Sequence, residues 1–124
     1  MNIPAHLRYT KDHEWVAVNG NFATVGITDY AQAQLGDVVF VDIQTEGEHL
    51  DVGEEFGAIE AVKTVAEALM PLSGTVTEVN PELEGAPQLV NTDPYGEGWM
   101  IKIEISNPDE VDDLLTAEAY KELL

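Results

Sequence analysis

Apolar and polar residues alternate through His13-Glu14-Trp15-Val16-Ala17-Val18, the period of a half-buried β-strand, and the run stops at Asn19-Gly20, a pair that favours a two-residue hairpin turn. Phe22-Ala23-Thr24-Val25-Gly26-Ile27 resumes the pattern as the returning strand. Thr28 then predicts the cap of a short helix over residues 29–35, with Asp29 in its first turn and Gly36 as its stop. Branched residues crowd 37–43, a clear strand, and Gly47 and Gly53 punctuate short segments up to Phe56. Residues 74–79 and 99–105 read as two further strands. A short capped turn of helix is expected at 80–85, loop over 86–98, and two helical pieces opening at Asn107 and Thr116. Gly36-Asp37-Val38-Val39-Phe40-Val41 and Gly74-Thr75-Val76-Thr77-Glu78-Val79 share a Gly-x-Val-x-x-Val pattern, as two half-sheets related by a pseudo-twofold would. Pieces this short imply a small, mainly β sandwich or barrel with helices at its margins.

Between Phe56 and Gly74 the pattern changes. Ala58, Ala61, Val62, Val65, Ala66 and Leu69 fall at helical spacing, and Ala, Glu, Leu and Met favour helices. By local rules alone this stretch is a helix, and Lys63 is an ordinary solvated lysine.

Charge alters the range of functions. Five Lys and Arg stand against 24 Asp and Glu, a formal net charge of -19, spread along the chain. Such a surface repels phosphate backbones and anionic lipids, so neither nucleic acid nor membrane is expected as a partner. It suits solubility and steering toward basic surfaces on other proteins. With no cysteine there is no disulfide, thiolate nucleophile or sulfur metal site. His6, His13 and His49 lack metal-ligand spacing, so no metal is expected. No apolar run approaches the ~20 residues of a membrane span, and residues 1–10 carry no targeting pattern, so a cytoplasmic protein is expected. Trp15 and Trp99 are expected in the core. No Ser-His-Asp order or phosphate-binding loop suggests catalysis.

Glu60-Ala61-Val62-Lys63, followed by Pro71 and by Ser73-Gly74-Thr75-Val76, resembles the Glu-x-x-Lys…Gly-x-Val signature of lipoyl-carrying domains, in which the lysine stands at an exposed hairpin tip. Biotin carriers use a similar hairpin but usually place Met on both sides of the lysine; Val62 and Thr64 stand there in this chain. Further motifs narrow the resemblance. Tyr9-Thr10, His13-Glu14-Trp15, Val25-Gly26-Ile27-Thr28-Asp29-Tyr30-Ala31-Gln32, Leu35-Gly36-Asp37-Val38-Val39-Phe40-Val41, Leu89-Val90-Asn91 and Asp93-Pro94-Tyr95-Gly96-Glu97-Gly98-Trp99 are similar, in order and across nearly the whole chain, to the H-protein family of the glycine cleavage system. Departures are Ala61 where the family more often has Ser, Ala66-Glu67 for Ser-Asp, Ile43-Gln44 for Leu-Pro, and Gln34 where some relatives carry His.

The resemblance implies a lipoyl/biotinyl-carrier-like flattened barrel or sandwich of two small antiparallel sheets. It implies one domain over 1–124, with a hairpin tip near 61–64 and a helical C-terminal extension over about 107–124. Lys63 would carry lipoic acid in amide linkage, and the chain would be a carrier rather than an enzyme. A pyridoxal-phosphate glycine decarboxylase would load the arm with the aminomethyl group of glycine. A tetrahydrofolate-dependent aminomethyltransferase would unload it, and dihydrolipoyl dehydrogenase would reoxidise the dithiol. A lipoate ligase or lipoyltransferase would attach the arm, with Glu60 and Glu67 either candidates for its recognition or simply solvent-exposed carboxylates. Glu14, Asp12 and Glu67 are candidates for holding the arm's amine in a sheltering cleft; the alternative for Glu14 is an exposed strand carboxylate. Three other readings stay open: an H-like lipoyl donor or relay for other enzymes, a lipoyl domain of a 2-oxoacid dehydrogenase, and an unmodified acidic binding module. The second is disfavoured by the absence of flanking Ala/Pro-rich linkers.

Overall fold

The computed structural model describes residues 1–124. Nine strands are present: β1 (Arg8–Tyr9), β2 (Glu14–Asn19), β3 (Phe22–Ile27), β4 (Val38–Asp42), β5 (His49–Leu50), β6 (Glu55–Ala61), β7 (Val65–Leu69), β8 (Gly74–Val79) and β9 (Ile101–Ile105). Four short helices accompany them: α1 (Asp29–Leu35), α2 (Glu82–Gly85), α3 (Leu89–Thr92) and α4 (Ala117–Lys121). A 3-10 turn over Pro108–Asp113, capped by the Asn107 side chain, precedes α4. The strands form two open sheets, β1-β2-β3-β9-β8-β5 and β4-β6-β7, with every pairing antiparallel. The fold is thus the sandwich rather than the closed barrel. No helix is long and apolar enough to cross a membrane.

Alternation explains how the sheets close on one another. Ala23, Val25 and Ile27 of β3 and Ile101 and Ile103 of β9 point inward, where they meet Phe56 and Ile59 of β6 and Val76 of β8 in one buried cluster. β2 departs from simple alternation, because Glu14, Trp15 and Val16 are all buried. Val16 enters the main core, whereas Trp15 faces the opposite side and packs with Leu7, Tyr9, Ala117 and Tyr120 beneath α4. The C-terminal extension therefore covers a sheet face that water would otherwise reach. Tyr9 and Leu115 exchange backbone hydrogen bonds of 2.9 and 2.8 Å, and the Tyr9 and Tyr120 rings stack at 4.8 Å.

The two Gly-x-Val segments lie one in each sheet, as β4 and β8. Each shows a register shift just after its first Val, between Val38 and Phe40 and between Val76 and Glu78. Residues 39 and 77 are thus the extra residues of two equivalently placed bulges.

Several expectations are corrected. The helix that local periodicity suggests beyond Phe56 does not form: β6 is the central strand of its sheet, and ladders on both edges, with β4 and β7, outweigh the helical preference of Ala and Glu. The first hairpin turns one residue later, at Gly20-Asn21, with Asn19 paired to Phe22 and φ of +63° at Gly20. Residues 86–98 are not all loop, since α3 occupies Leu89–Thr92. The last strand starts at Ile101, leaving Trp99 only half-buried, with Lys102 Nζ 4.9 Å from its ring.

Candidate functional site

Lys63 stands at the turn joining β6 to β7. Glu60 pairs with Val65, and the Ala61 amide donates to the Thr64 carbonyl at 2.8 Å, which leaves Val62 and Lys63 as the two-residue tip. Val62 is 75% exposed; Lys63 is exposed too and forms no ion pair, the one ion pair of the chain being Lys102 with Glu78. The Val62 amide donates to the Asp37 carbonyl at 3.0 Å, so the tip rests on the segment that leads into β4.

That segment is itself braced. Gly36 ends α1 at φ +79°, its amide donating to the Gln32 carbonyl at 3.0 Å. A Cβ at position 36 would lie 3.3 Å from Lys63 Cε, tight against the lysine stem. The Asn91 carboxamide, at the end of α3, donates through Nδ2 to the Gly36 carbonyl at 2.8 Å and to Gln32 Oε1 at 3.0 Å, and its Oδ1 accepts from the Val38 amide at 2.8 Å. In the sequence Asn91 carries no signal beyond its place in the Leu89-Val90-Asn91 motif.

Asp12, Glu14 and Glu67 line one cleft of about 200 Å³, together with His13, Tyr30 and Gln34. Glu60 is not among its lining residues; it is exposed on the outer face of the small sheet, in register with Phe40 and Val65. Asp12 and Glu67 are exposed as well.

Glu14 differs from the other candidate carboxylates. It is 3% exposed, which removes the exposed-carboxylate alternative. Its Oε1 accepts from the Thr10 hydroxyl at 2.7 Å, and Oε2 accepts a long 3.5 Å bond from the Leu69 amide. Burial pushes its carboxyl up to about 7; the Thr10 hydrogen bond opposes that shift, and the Asp12 charge adds to it. The group therefore changes charge near neutrality. A cationic amine entering the cleft would favour the carboxylate and recover part of what burial costs it. Glu14 and Asp12 also line a larger groove of about 460 Å³, floored by Tyr9, Met70 and Leu114. Glu14 thus belongs to the wall between two cavities.

His13, which closes the turn before β2 at φ +70°, is fixed from the C-terminal side. Its Nδ1 lies 2.7 Å from the Tyr120 hydroxyl, which also meets Thr28 Oγ1 at 2.7 Å. Burial lowers the His13 pKa against the pull of Asp12, so the neutral ring is favoured beside Tyr30, 4.7 Å away. The arrangement gives an exposed amine on a rigid tip and, separately, a sheltered carboxyl in a cleft.

The family described as Glycine cleavage H-protein matches residues 7–124. A glycine cleavage system H protein of Bacteroides fragilis is 58% identical over 121 residues, covering 98% of this chain and 96% of the relative. One from Symbiobacterium thermophilum is 56% identical over 119 residues, covering 96% and 93%. Among solved structures, a glycine cleavage system H protein from Mycobacterium marinum superposes with a TM-score of 0.86 at 38% identity, covering 97% of each chain.

Proposed function

Because the chain belongs to the glycine cleavage H-protein family, we propose that Lys63 is the residue on which it carries its lipoyl group. The protein is a carrier component of the glycine cleavage system, not a catalyst. It works with the other components of that system: the pyridoxal-phosphate glycine decarboxylase, the tetrahydrofolate-dependent aminomethyltransferase and dihydrolipoyl dehydrogenase. A lipoate ligase or lipoyltransferase loads it, in the cytoplasm. Residues 1–124 act as one carrier domain, with the tip at 61–64 and the extension over 107–124.

The observation that carries the assignment is an exposed, unpaired lysine at a hairpin tip whose backbone is hydrogen-bonded on both sides. A carrier needs an anchor that is fixed while its side chain is in water, and a sheet-held tip meets both needs. The tip fits the group: Lys63 Nζ is unencumbered, and amide formation joins it to the lipoyl carbonyl carbon. The amine gives up a proton, and the leaving group of an activated acyl donor departs with its electron pair. When attached, the lipoyl group supplies a disulfide that accepts the aminomethyl group of glycine and is later regenerated by oxidation. The chain's own residues hold the anchor and offer Glu14, with Asp12 and Glu67 at the cleft, to an amine brought there. Glu60 and Glu67, on the strands leading into and out of the tip, serve recognition by the loading enzyme.

Intact mass after incubation with purified lipoate ligase, lipoate and ATP tests the assignment. One lipoyl mass on the wild-type chain and none on Lys63→Arg is expected. An unmodified wild-type chain, or a lipoylated Lys63→Arg, would sink it.

A further inference from the structure

We propose that the outer face of the β4-β6-β7 sheet, running from the tip through Phe40 and Val65, is the docking surface for the enzyme that acylates Lys63, and that this enzyme meets it with an apolar patch edged by Lys or Arg. The inference rests on Lys63 being the attachment residue.

Register defines the face. Val41, Ile59 and Ala66 form one cross-strand row that turns inward, and Phe40, Glu60 and Val65 form the adjacent row that turns outward. The bulge at Val39 breaks the alternation of β4 and exposes that side chain as well. Val39 and Phe40 are each about half exposed, Val65 is 62% exposed, and Val62 is the most open of all. A single exposed valine needs no explanation, whereas four large apolar side chains gathered around one lysine mark an interaction surface.

Charge identifies the kind of partner. Asp37, Asp42, Glu60 and Glu67 frame the patch, and the three strands and their tip hold no Lys or Arg except Lys63. Arg8, Lys11, Lys102 and Lys121 all lie on β1, the following loop, β9 and α4. A second copy of this chain would bring carboxylates against carboxylates, so self-association by this face is disfavoured, while a basic rim is attracted. Phe40 also lines a groove of about 410 Å³ between β4 and α2, with Val79 and Leu83 along its wall and Asp42, Glu46 and Glu84 at its edge. That groove suits a Lys or Arg side chain, its stem against the apolar wall and its head among the carboxylates. An enzyme that reacts at Nζ itself must approach to within the length of a bare lysine and cover the ground beside the tip. A partner reached by a long loaded arm can stand off.

The test uses the full-length unmodified chain as substrate for purified lipoate ligase with lipoate and ATP, read by intact mass. A Phe40→Asp/Val65→Asp variant is expected to raise the KM for the chain roughly tenfold or more with kcat little changed, because a central apolar contact is lost while the amine is untouched. A Val18→Asp/Phe22→Asp variant on the β2–β3 hairpin, with comparable exposure, is expected to keep the wild-type KM. The wild-type KM should rise with added NaCl, and Asp42→Asn/Glu60→Gln should flatten that rise. Thermal melts of each variant report that the fold is kept. A wild-type KM in the Phe40/Val65 variant overturns the proposal. So does a normal KM combined with failure of the preloaded variant in glycine–bicarbonate exchange, which would give the face to the decarboxylase instead. No acylation of the wild-type chain would overturn the attachment reading itself.

Discussion

Asn91 and Gly36 are joined by a 2.8 Å hydrogen bond from carboxamide to backbone carbonyl, and this bond fixes the segment on which the Lys63 hairpin rests. The same carboxamide accepts from Val38, so one side chain ties α3 to both ends of a three-residue link. Asn91→Ala is expected to cost about 2 kcal/mol, as three hydrogen bonds go and a carbonyl and an amide lose their partner. Urea unfolding measures this. Amide exchange at Val62 should quicken in the variant, since its acceptor, the Asp37 carbonyl, is no longer held.

Lys63→Arg is expected to abolish acylation while changing stability by less than about 0.5 kcal/mol, because the side chain is exposed and makes no ion pair. Intact mass and a thermal melt check both halves.

Glu14 gives a pH dependence of definite sign. Its folded pKa, about 7, lies above the ordinary value of 4.5, so the neutral form is favoured in the fold. Its favourable contribution is complete below the unfolded value and is lost as pH rises through about 7. The full swing is roughly 3 kcal/mol from the size of the shift. Glu14→Gln is therefore expected to gain on wild type above pH 7 and to show little advantage near pH 4.5. Urea midpoints at both pH values decide it, and equal differences at the two would contradict the buried-carboxyl account.

Gly74→Ala is expected to destabilise by about 2–3 kcal/mol, the range for overpacking against backbone that cannot move. A Cβ there would run into the backbone carbonyl of Glu104 on β9. Chemical denaturation measures the loss, and near-neutral stability would show that β8 can shift away.

Tyr120→Phe removes a hydroxyl shared by His13 Nδ1 and Thr28 Oγ1 while keeping the ring stacked on Tyr9. A loss of about 1–2 kcal/mol is expected, read as a lowered melting temperature.

Most strands and both ends of α1 are legible in short stretches of sequence. Alternation over β3 and β9 and a Thr28 cap with a Gly36 stop are local signals, and local chemistry fulfils them. Ordered motifs also marked Lys63 as the attachment candidate. The rest follows from contacts between distant segments. Ala-rich residues 58–61 and 65–69 become strands because β6 gains ladders on both edges, a benefit no local window contains. Glu14 becomes a buried group titrating near neutrality because it shares the inner face of β2 with Val16, where β7 packs over it and brings the Leu69 amide to its Oε2 from 55 residues away. Asn91 becomes the brace of the tip only when α3 meets the α1–β4 link. Periodicity reports which way a side chain faces; what it faces depends on chain segments distant in sequence.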